Sequence, residues 1–455
     1  MPVPRDHRVT LGLLGCGNVG GAFLSIVDTG VEAISARTGL ELEIVRVAVR
    51  SGARSRPGVD SARLAARVTE DAASVVSDEA VDIVVELIGG IEPARSLVLA
   101  ALSAGKPVVT GNKELVAACG AELLRAAAKA GVDVLFEASV AGAIPLVRLL
   151  KESLAGERIV RLTGIVNGTT NYMLTRMSEE GLGYSEALAE AQSLGFAEAD
   201  PTADVEGFDA AAKAAILAGI AFDADVVATD VHREGITSID ASDIEFAHRL
   251  GYEVKLLAVA EREVVSSRAG SAARACEPGD DGPVGVRVHP AMVRKEHPLA
   301  SVRGSFNAVF LEGDAAGELM VYGRGAGGRP TASAVLGDVI EAAHHLREET
   351  SARPARRRTR ELMPISKLRT QYYLSLDVAD RPGVLAAVAS IFGEHHVSIR
   401  SMEQVGLEGE ARLVFITHTA LEADVQATLQ ALAGLEAVER VGCMLRVIGP
   451  EPAES

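Results

Sequence analysis

The chain has 455 residues, 48% of them hydrophobic, with no tryptophan and a formal net charge of -17. That length allows roughly two to four domains, and the composition suits an α/β enzyme with ample core. The acidic balance counts against a nucleic-acid binder, which would show a basic face. The four cysteines (Cys16, Cys119, Cys276 and Cys443) are far apart in the chain. They match neither a zinc spacing nor a disulfide framework.

The first expected strand covers 9–15, which leaves no room for a secretory signal, and no apolar run is expected to reach membrane-span length. The expectation is a cytoplasmic protein with no membrane partner. Residues 18–27 read as a helix and 42–50 as a second strand. Further strands are expected over 82–88, 107–110 and 132–138, and helices over 93–104 and 114–130. Apolar strands broken by amphipathic helices predict a parallel sheet covered on both faces, so residues 1–140 read as a Rossmann-type domain.

Residues 141–347 read as an α+β domain for substrate and dimerisation. Strands are expected over 158–166, 256–261, 286–289, 307–312 and 318–322, and helices over 185–193 and 207–220. Ser242-Asp243-Ile244-Glu245 reads as a capping box opening a helix through Leu250. The polar stretch 265–283 reads as a loop. Residues 348–370, with a basic run from Arg353 to Arg360, read as a solvated linker. Over 371–449 the order is strand, helix, strand, strand, helix, strand, the ferredoxin-like βαββαβ pattern.

Gly15-Cys16-Gly17-Asn18-Val19-Gly20 follows the first strand and opens the first helix, the context a dinucleotide fingerprint requires. Gly15 permits the turn, Gly17 admits the pyrophosphate, and Gly20 lets helix and strand approach. No acid stands at the end of the second strand to take ribose hydroxyls. Arg50 and Arg54 stand there instead and favour NADP over NAD, the alternative being an arginine that caps a strand in solvent. Lys113 lies just past a strand end, where parallel sheets bind ligands. Asp209 and Lys213 are four apart on one helix face, inside an acidic stretch that runs into an apolar helix. They read either as an exposed ion pair or as a proton donor with its holder.

The segments GCGNVG, GNKELVA, EASVAGAIP, GIVNGTTNYML, EADPTADVEGFDAAAK and GRGAGGRPTASAV occur in order within residues 9–347. Together they resemble homoserine dehydrogenase. The last unit, with Asp380-Arg381-Pro382-Gly383-Val384-Leu385 between strand and helix, resembles an ACT domain. The resemblance implies reversible reduction of L-aspartate 4-semialdehyde to L-homoserine by NADP, or by NAD, on the route to threonine, methionine and isoleucine. It implies Lys213 as proton donor, Asp209 as its holder and Lys113 as a second lysine near nicotinamide and substrate. Glu198 and Asp209 would bind the substrate ammonium, with Asn167-Gly168-Thr169-Thr170 along the pocket wall. Gly325 would lie in a late cofactor-contacting loop. The resemblance also implies a monovalent cation, usually sodium, at Glu137, Val140, Gly142 and Ile144, mostly through backbone carbonyls. It further implies inhibition by threonine through the ACT unit, and a homodimer or homotetramer.

Two rival readings differ in class. Another ACT-tailed Rossmann dehydrogenase, acting on phosphoglycerate or prephenate, would lack the GIVNGTTNYML and EADP segments and would use a histidine-centred site. A non-catalytic amino-acid sensor would have lost Lys213 or Asp209, and both are present.

Overall fold

The structure, a computed structural model, describes residues 8–51, 64–262, 282–351, 360–407 and 410–449. Arg54, Cys276, most of the polar stretch 265–283 and the basic run up to residue 359 lie outside the described residues.

The first unit holds strands β1 (Arg8–Leu14), β2 (Glu41–Ala48), β3 (Val68–Thr69), β4 (Ile83–Glu86), β5 (Val108–Thr110) and β6 (Val134–Leu135). They pair in the order β3-β2-β1-β4-β5-β6, and every pair is parallel. This is the Rossmann order, with its switch point between β1 and β4, where the loops after both strands open a crevice. Leu11, Leu13, Ile83, Val84 and Val85 are fully buried, as strands covered on both faces require.

The helix Asn18–Thr38 runs 21 residues, well beyond the expected 18–27, and ends at Gly39 in the left-handed region. By length and composition it could cross a membrane, contrary to the sequence expectation. Its apolar side (Phe23, Leu24, Val27) instead packs into the sheet core. The helix Gly328–Arg347 packs beside it, and Ala332, Val335, Val339 and Ala342 enter the same core. The nucleotide unit is therefore completed by a segment nearly two hundred residues downstream of residue 140.

The second unit adds β7 (Ile159–Ile165), the two-residue β8 (His232–Arg233), β9 (Tyr252–Arg262), β10 (Val284–Arg294), β11 (Phe306–Gly313) and β12 (Gly317–Arg324). Strands β12, β11, β7, β9 and β10 pair antiparallel in that order. The helix Phe208–Ala221 is buried almost all round and lies between this sheet and the helix Lys113–Ala130. Such a helix belongs inside a core rather than on a surface. The helix Ala241–Arg249 begins two residues earlier than expected. Asp240, not Ser242, is its cap, accepting from Asp243 N at 3.0 Å while the Asp243 carboxylate accepts from Asp240 N at 3.3 Å.

The third unit holds β13 (Arg369–Ala379), β14 (Ile399–Leu407), β15 (Glu410–Thr417), the short β16 (Ala420–Leu421) and β17 (Val438–Ile448), with helices Val384–Glu394 and Glu422–Ala433. The order β17-β13-β15-β14 is the ferredoxin-like arrangement anticipated from the sequence. It does not hang from a free linker. Strand β17 pairs in parallel with β10 through Ala291↔Arg446, Met292↔Val447 and Val293↔Ile448, so one sheet runs through both units. Glu361 and Met363 also bond to the backbone of Val284. On the sheet face opposite its own helices, Tyr373 and Ser375 each donate to Asp243 at 3.1 Å.

Tyr373, Ile416, Leu445 and Val447 share one core with the second unit. Truncation after Arg347, which a removable regulatory unit would tolerate, should therefore strip that core. The truncated chain is expected to melt more than about 10 °C below the full chain in calorimetry, since each lost apolar side chain is worth roughly 1.5–3 kcal/mol.

Candidate active site

The dinucleotide loop is built by exclusion. Gly15 has φ +94, and a Cβ there would lie 2.6 Å from the Leu87 carbonyl oxygen. A Cβ on Gly20 would lie 2.2 Å from the Gly15 oxygen, so only glycine lets the helix reach the strand. A Cβ on Gly17 would meet nothing within 4 Å, which leaves open space where a pyrophosphate must approach. Gly17 caps the helix without a side-chain bond, and a helix N-terminus offers its first N–H groups to an anion. These features fit a dinucleotide. Arg50 is exposed just beyond β2. The sequence reading overlooked Glu86, fully buried at the end of β4. It accepts from Thr110 Oγ1 at 2.5 Å and from Ile88 N at 2.7 Å, and burial pushes its carboxyl above the ordinary range.

Between the loops that follow β4 and β5 and the second unit lies a cavity of about 250 Å³. Its walls come from four places in the chain: Gly89 and Gly90; Gly111, Asn112 and Lys113; Ser139, Ala141 and Gly142; and Gly325, Ala326 and Thr331, with Lys213 beside them. A larger cavity, about 640 Å³, lies around Glu137, Arg148, Lys151 and Asp338. It holds neither Lys113 nor Lys213, so size alone points away from the chemistry.

Two helix starts bring the lysines together. Asn112 caps the helix Lys113–Ala130, its Oδ1 accepting from Leu115 N at 3.1 Å, and its amide donates to Gly90 O at 2.6 Å. Lys113 is thereby aimed across the crevice. Gly207, with φ +80, caps the helix Phe208–Ala221 and puts Asp209 in its first turn. There the helix dipole favours an anion. Lys213, one turn on, donates to Asp209 Oδ2 at 2.7 Å and to Val166 O at 2.8 Å. Lys113 donates to the other oxygen, Asp209 Oδ1. Asn167 Nδ2 donates to Asp209 Oδ2 at 2.9 Å and to Asp204 Oδ1 at 2.7 Å, while its Oδ1 accepts from Thr170 N at 2.9 Å.

Burial would raise the Asp209 pKa, but the Lys213 and Lys113 charges prevail and hold it well below the usual carboxylate range. Burial would lower the Lys113 pKa, and the Asp209 charge and hydrogen bond raise it instead. The arrangement keeps a cation on each side of one buried anion, next to a cavity the size of a small substrate.

The other anticipated residues sit as follows. Gly168 begins the helix Gly168–Glu180, where a Cβ would lie 2.7 Å from the Ser305 oxygen. Thr169 donates to Phe196 O at 2.7 Å. Glu198 is exposed, its backbone oxygen accepting from Gln192 at 3.0 Å, and it does not line the cavity. Gly325 lines it and touches Gly142, whose Cβ would lie 2.7 Å from the Gly325 oxygen. Asn167, which the resemblance puts on the pocket wall, joins the cluster through Asp209 and brings in Asp204, a residue no sequence pattern singled out.

The turn Glu137 to Ile144 begins with the 3-10 helix Glu137–Ser139. The Glu137 carboxylate accepts from Val147 N and Arg148 N, each at 2.8 Å. Ala141 and Gly142 both have positive φ. Glu137 O accepts from Val140 N, and Ile144 O from Leu146 N. Among the described residues no group of three or more His, Cys, Asp or Glu could hold a metal ion.

A glycine loop of the dinucleotide type, a cluster of two lysines and a buried carboxylate across the crevice, and a ferredoxin-like C-terminal unit together fit the class of dinucleotide-dependent dehydrogenases. Comparison with known proteins makes the class specific. Residues 15–137 match the model for the homoserine dehydrogenase NAD-binding domain, 145–340 that for homoserine dehydrogenase, and 372–437 that for the ACT domain. The homoserine dehydrogenase of Mycobacterium bovis is 47% identical over 456 residues, covering 98% of this chain and 99% of its own. The crystal structure of a homoserine dehydrogenase from Thiobacillus denitrificans superposes with a TM-score of 0.87 at 38% identity, covering 97% of this chain and 98% of that one. A hyperthermophilic archaeal homoserine dehydrogenase mutant in complex with NADPH gives 0.58 at 27%, covering 74% and 98%. The chain belongs to the homoserine dehydrogenase family and is a homoserine dehydrogenase with a C-terminal ACT domain.

Asp209→Asn should expose what the shared carboxylate does. Without its charge, burial wins at Lys113 and the lysine releases its proton at lower pH. The alkaline limb of aldehyde reduction should therefore move to lower pH, and kcat/KM should fall roughly 10²-fold. A pH–rate profile that keeps its alkaline limb would show that this limb does not report the Lys113 charge.

Proposed function

We propose that Lys213 gives the proton to the aldehyde oxygen of L-aspartate 4-semialdehyde, and takes it back from homoserine in the reverse direction. The observation that carries this is the convergence of Lys213 and Lys113 on the buried Asp209 beside the cavity. A bound nicotinamide supplies or accepts the hydride. Two of the three Lys213 donors are used on Asp209 and Val166, and the third remains for the substrate oxygen. Lys113 holds the same oxygen from the nucleotide side. Both Asp209 oxygens already serve these lysines and Asn167, so Asp209 holds the proton donor. The family resemblance is what assigns the substrate ammonium to Glu198 and Asp209 and the pocket wall to Gly168 and Thr169, since Glu198, Gly168 and Thr169 stand outside the cavity lining.

The finer assignments follow the same reading. NADP is preferred over NAD, with Arg50 on the 2′-phosphate, supported by the absence of an acid at the end of β2 and by the NADPH complex of the archaeal relative. Sodium sits on the carbonyls of Glu137, Val140, Gly142 and Ile144. The enzyme works in the cytoplasm as a homodimer or homotetramer in the synthesis of threonine, methionine and isoleucine. Threonine bound to the ACT unit inhibits it by favouring one of two arrangements.

Lys213→Ala should bind NADPH normally in a fluorescence titration yet turn over roughly 10²–10⁴ times more slowly. A variant retaining most of the wild-type kcat would remove Lys213 from its role. One steady-state series covers the cofactor side. Arg50→Ala should raise KM for NADP roughly tenfold and leave KM for NAD unchanged. In the same series, replacing sodium by choline at constant ionic strength should slow the wild type. Equal KM effects, or indifference to sodium, would refute the respective assignment.

A further inference from the structure

Arg446 is 1% exposed, on the ACT strand β17, yet it carries a full set of charged bonds. Its Nε and Nη2 donate to Glu422 at 2.8 and 2.6 Å, at the start of the ACT helix Glu422–Ala433. Its Nη1 and Nη2 donate to Glu234 at 2.8 Å each. Glu234 belongs to the second unit. One guanidinium thus forks onto two carboxylates, one from each unit, a geometry an ammonium cannot copy.

What Glu234 is attached to gives this pair its meaning. Its backbone N donates to Val288 O at 2.8 Å, beside the short strand β8. The next residues are zipped to the turn that precedes Asp209. Ile236 N donates to Val205 O at 2.8 Å, and Arg233 Nη1 donates to Glu206 O at 3.2 Å. A Cβ on Gly235 would lie 2.3 Å from the Val205 oxygen, so the two backbones are in contact with no slack. The Arg233 guanidinium covers the Phe208 ring at 3.4 Å. Asp204 and Asp209, on either side of this turn, are both held by Asn167.

We propose that Arg446 is a positioning residue for the reaction: through Glu234 it fixes the turn that presents Asp209, and so it carries the state of the ACT unit to the proton donor. The inference rests on the assignment of Asp209 and Lys213 made above. Movement of the helix Glu422–Ala433 pulls on Arg446 through Glu422. Arg446 shifts Glu234, and Glu234 shifts residues 205–208. Asp209 then holds Lys213 and Lys113 in a different place, with no effector near the cavity.

The test uses the full chain with Arg446→Lys, Glu234→Gln and the double variant. Arg446→Lys keeps the charge and loses the fork, and Glu234→Gln is a second route should the first fail to fold. Each single variant should lower kcat/KM for homoserine roughly tenfold, the order expected when a reacting group is misplaced from a distance. NADPH binding by fluorescence should be unchanged. Deuterium exchange should quicken in residues 204–213 and not in the nucleotide unit. The double variant should be no worse than the worse single one, because both break the same link. Unchanged kcat/KM, additive losses, or exchange that rises throughout the chain would overturn the proposal. Titration with L-threonine separates the two readings. If the wild type ignores threonine, the threonine assignment fails and the positioning role still stands or falls on kinetics and exchange. If the wild type responds and Arg446→Lys responds identically, the relay is refuted.

Discussion

One buried carboxylate ties this enzyme together. Asp209 is 6% exposed and lies between two ammonium groups that reach it from different units, Lys113 from the nucleotide side and Lys213 from its own helix. An ionised acid in such a place would be prohibitively expensive alone, and each lysine would be poor company for the other without it. The three are stable only together. The site therefore exists only when the crevice between the units has the right width, and the cavity beside it inherits that width. The same constraint explains why so much of the surrounding backbone is glycine or capped. Gly207 must turn with positive φ for Asp209 to enter a helix start, and Asn112 must cap its helix for Lys113 to face inward.

The remaining architecture can be understood as what keeps that crevice in register. The helix Gly328–Arg347 leaves the second unit and packs on the helix Asn18–Thr38, so the chain crosses between units twice. Pairing of β10 with β17 extends the second unit's sheet into the ACT unit, and Asp243 receives two hydroxyl bonds across the same junction. A sheet shared by two units transmits displacement better than a tether, because its backbone bonds and its packed core move together. The ACT unit is thus mechanically part of the catalytic body, even though none of its described residues lines the cavity beside the lysines.

Local sequence was enough for whatever depends on near neighbours. The glycine fingerprint after β1 needs only its own turn and helix, and the spacing of Asp209 and Lys213 needs only the helical repeat. The βαββαβ order needs only successive apolar periods, and the segments GIVNGTTNYML and EADPTADVEGFDAAAK mark the family before any folding. Tertiary structure decided what depends on distant neighbours. That Lys113 shares Asp209 with Lys213 joins positions 96 apart, and no periodicity encodes it. The helix Asn18–Thr38 has the length and composition of a membrane span, and only the tertiary structure shows that Phe23, Leu24 and Val27 on its first half pack into the nucleotide unit's core. The basic stretch after Arg347 reads as a tether by composition, but the strand pairing that makes the ACT unit a continuation of the sheet is a matter of backbone bonds, which leave no side-chain signature. The sequence by itself determined the chemistry available and the elements that carry it. Only folding decided which charges meet, because a buried charge is settled by every group around it rather than by the residue that bears it.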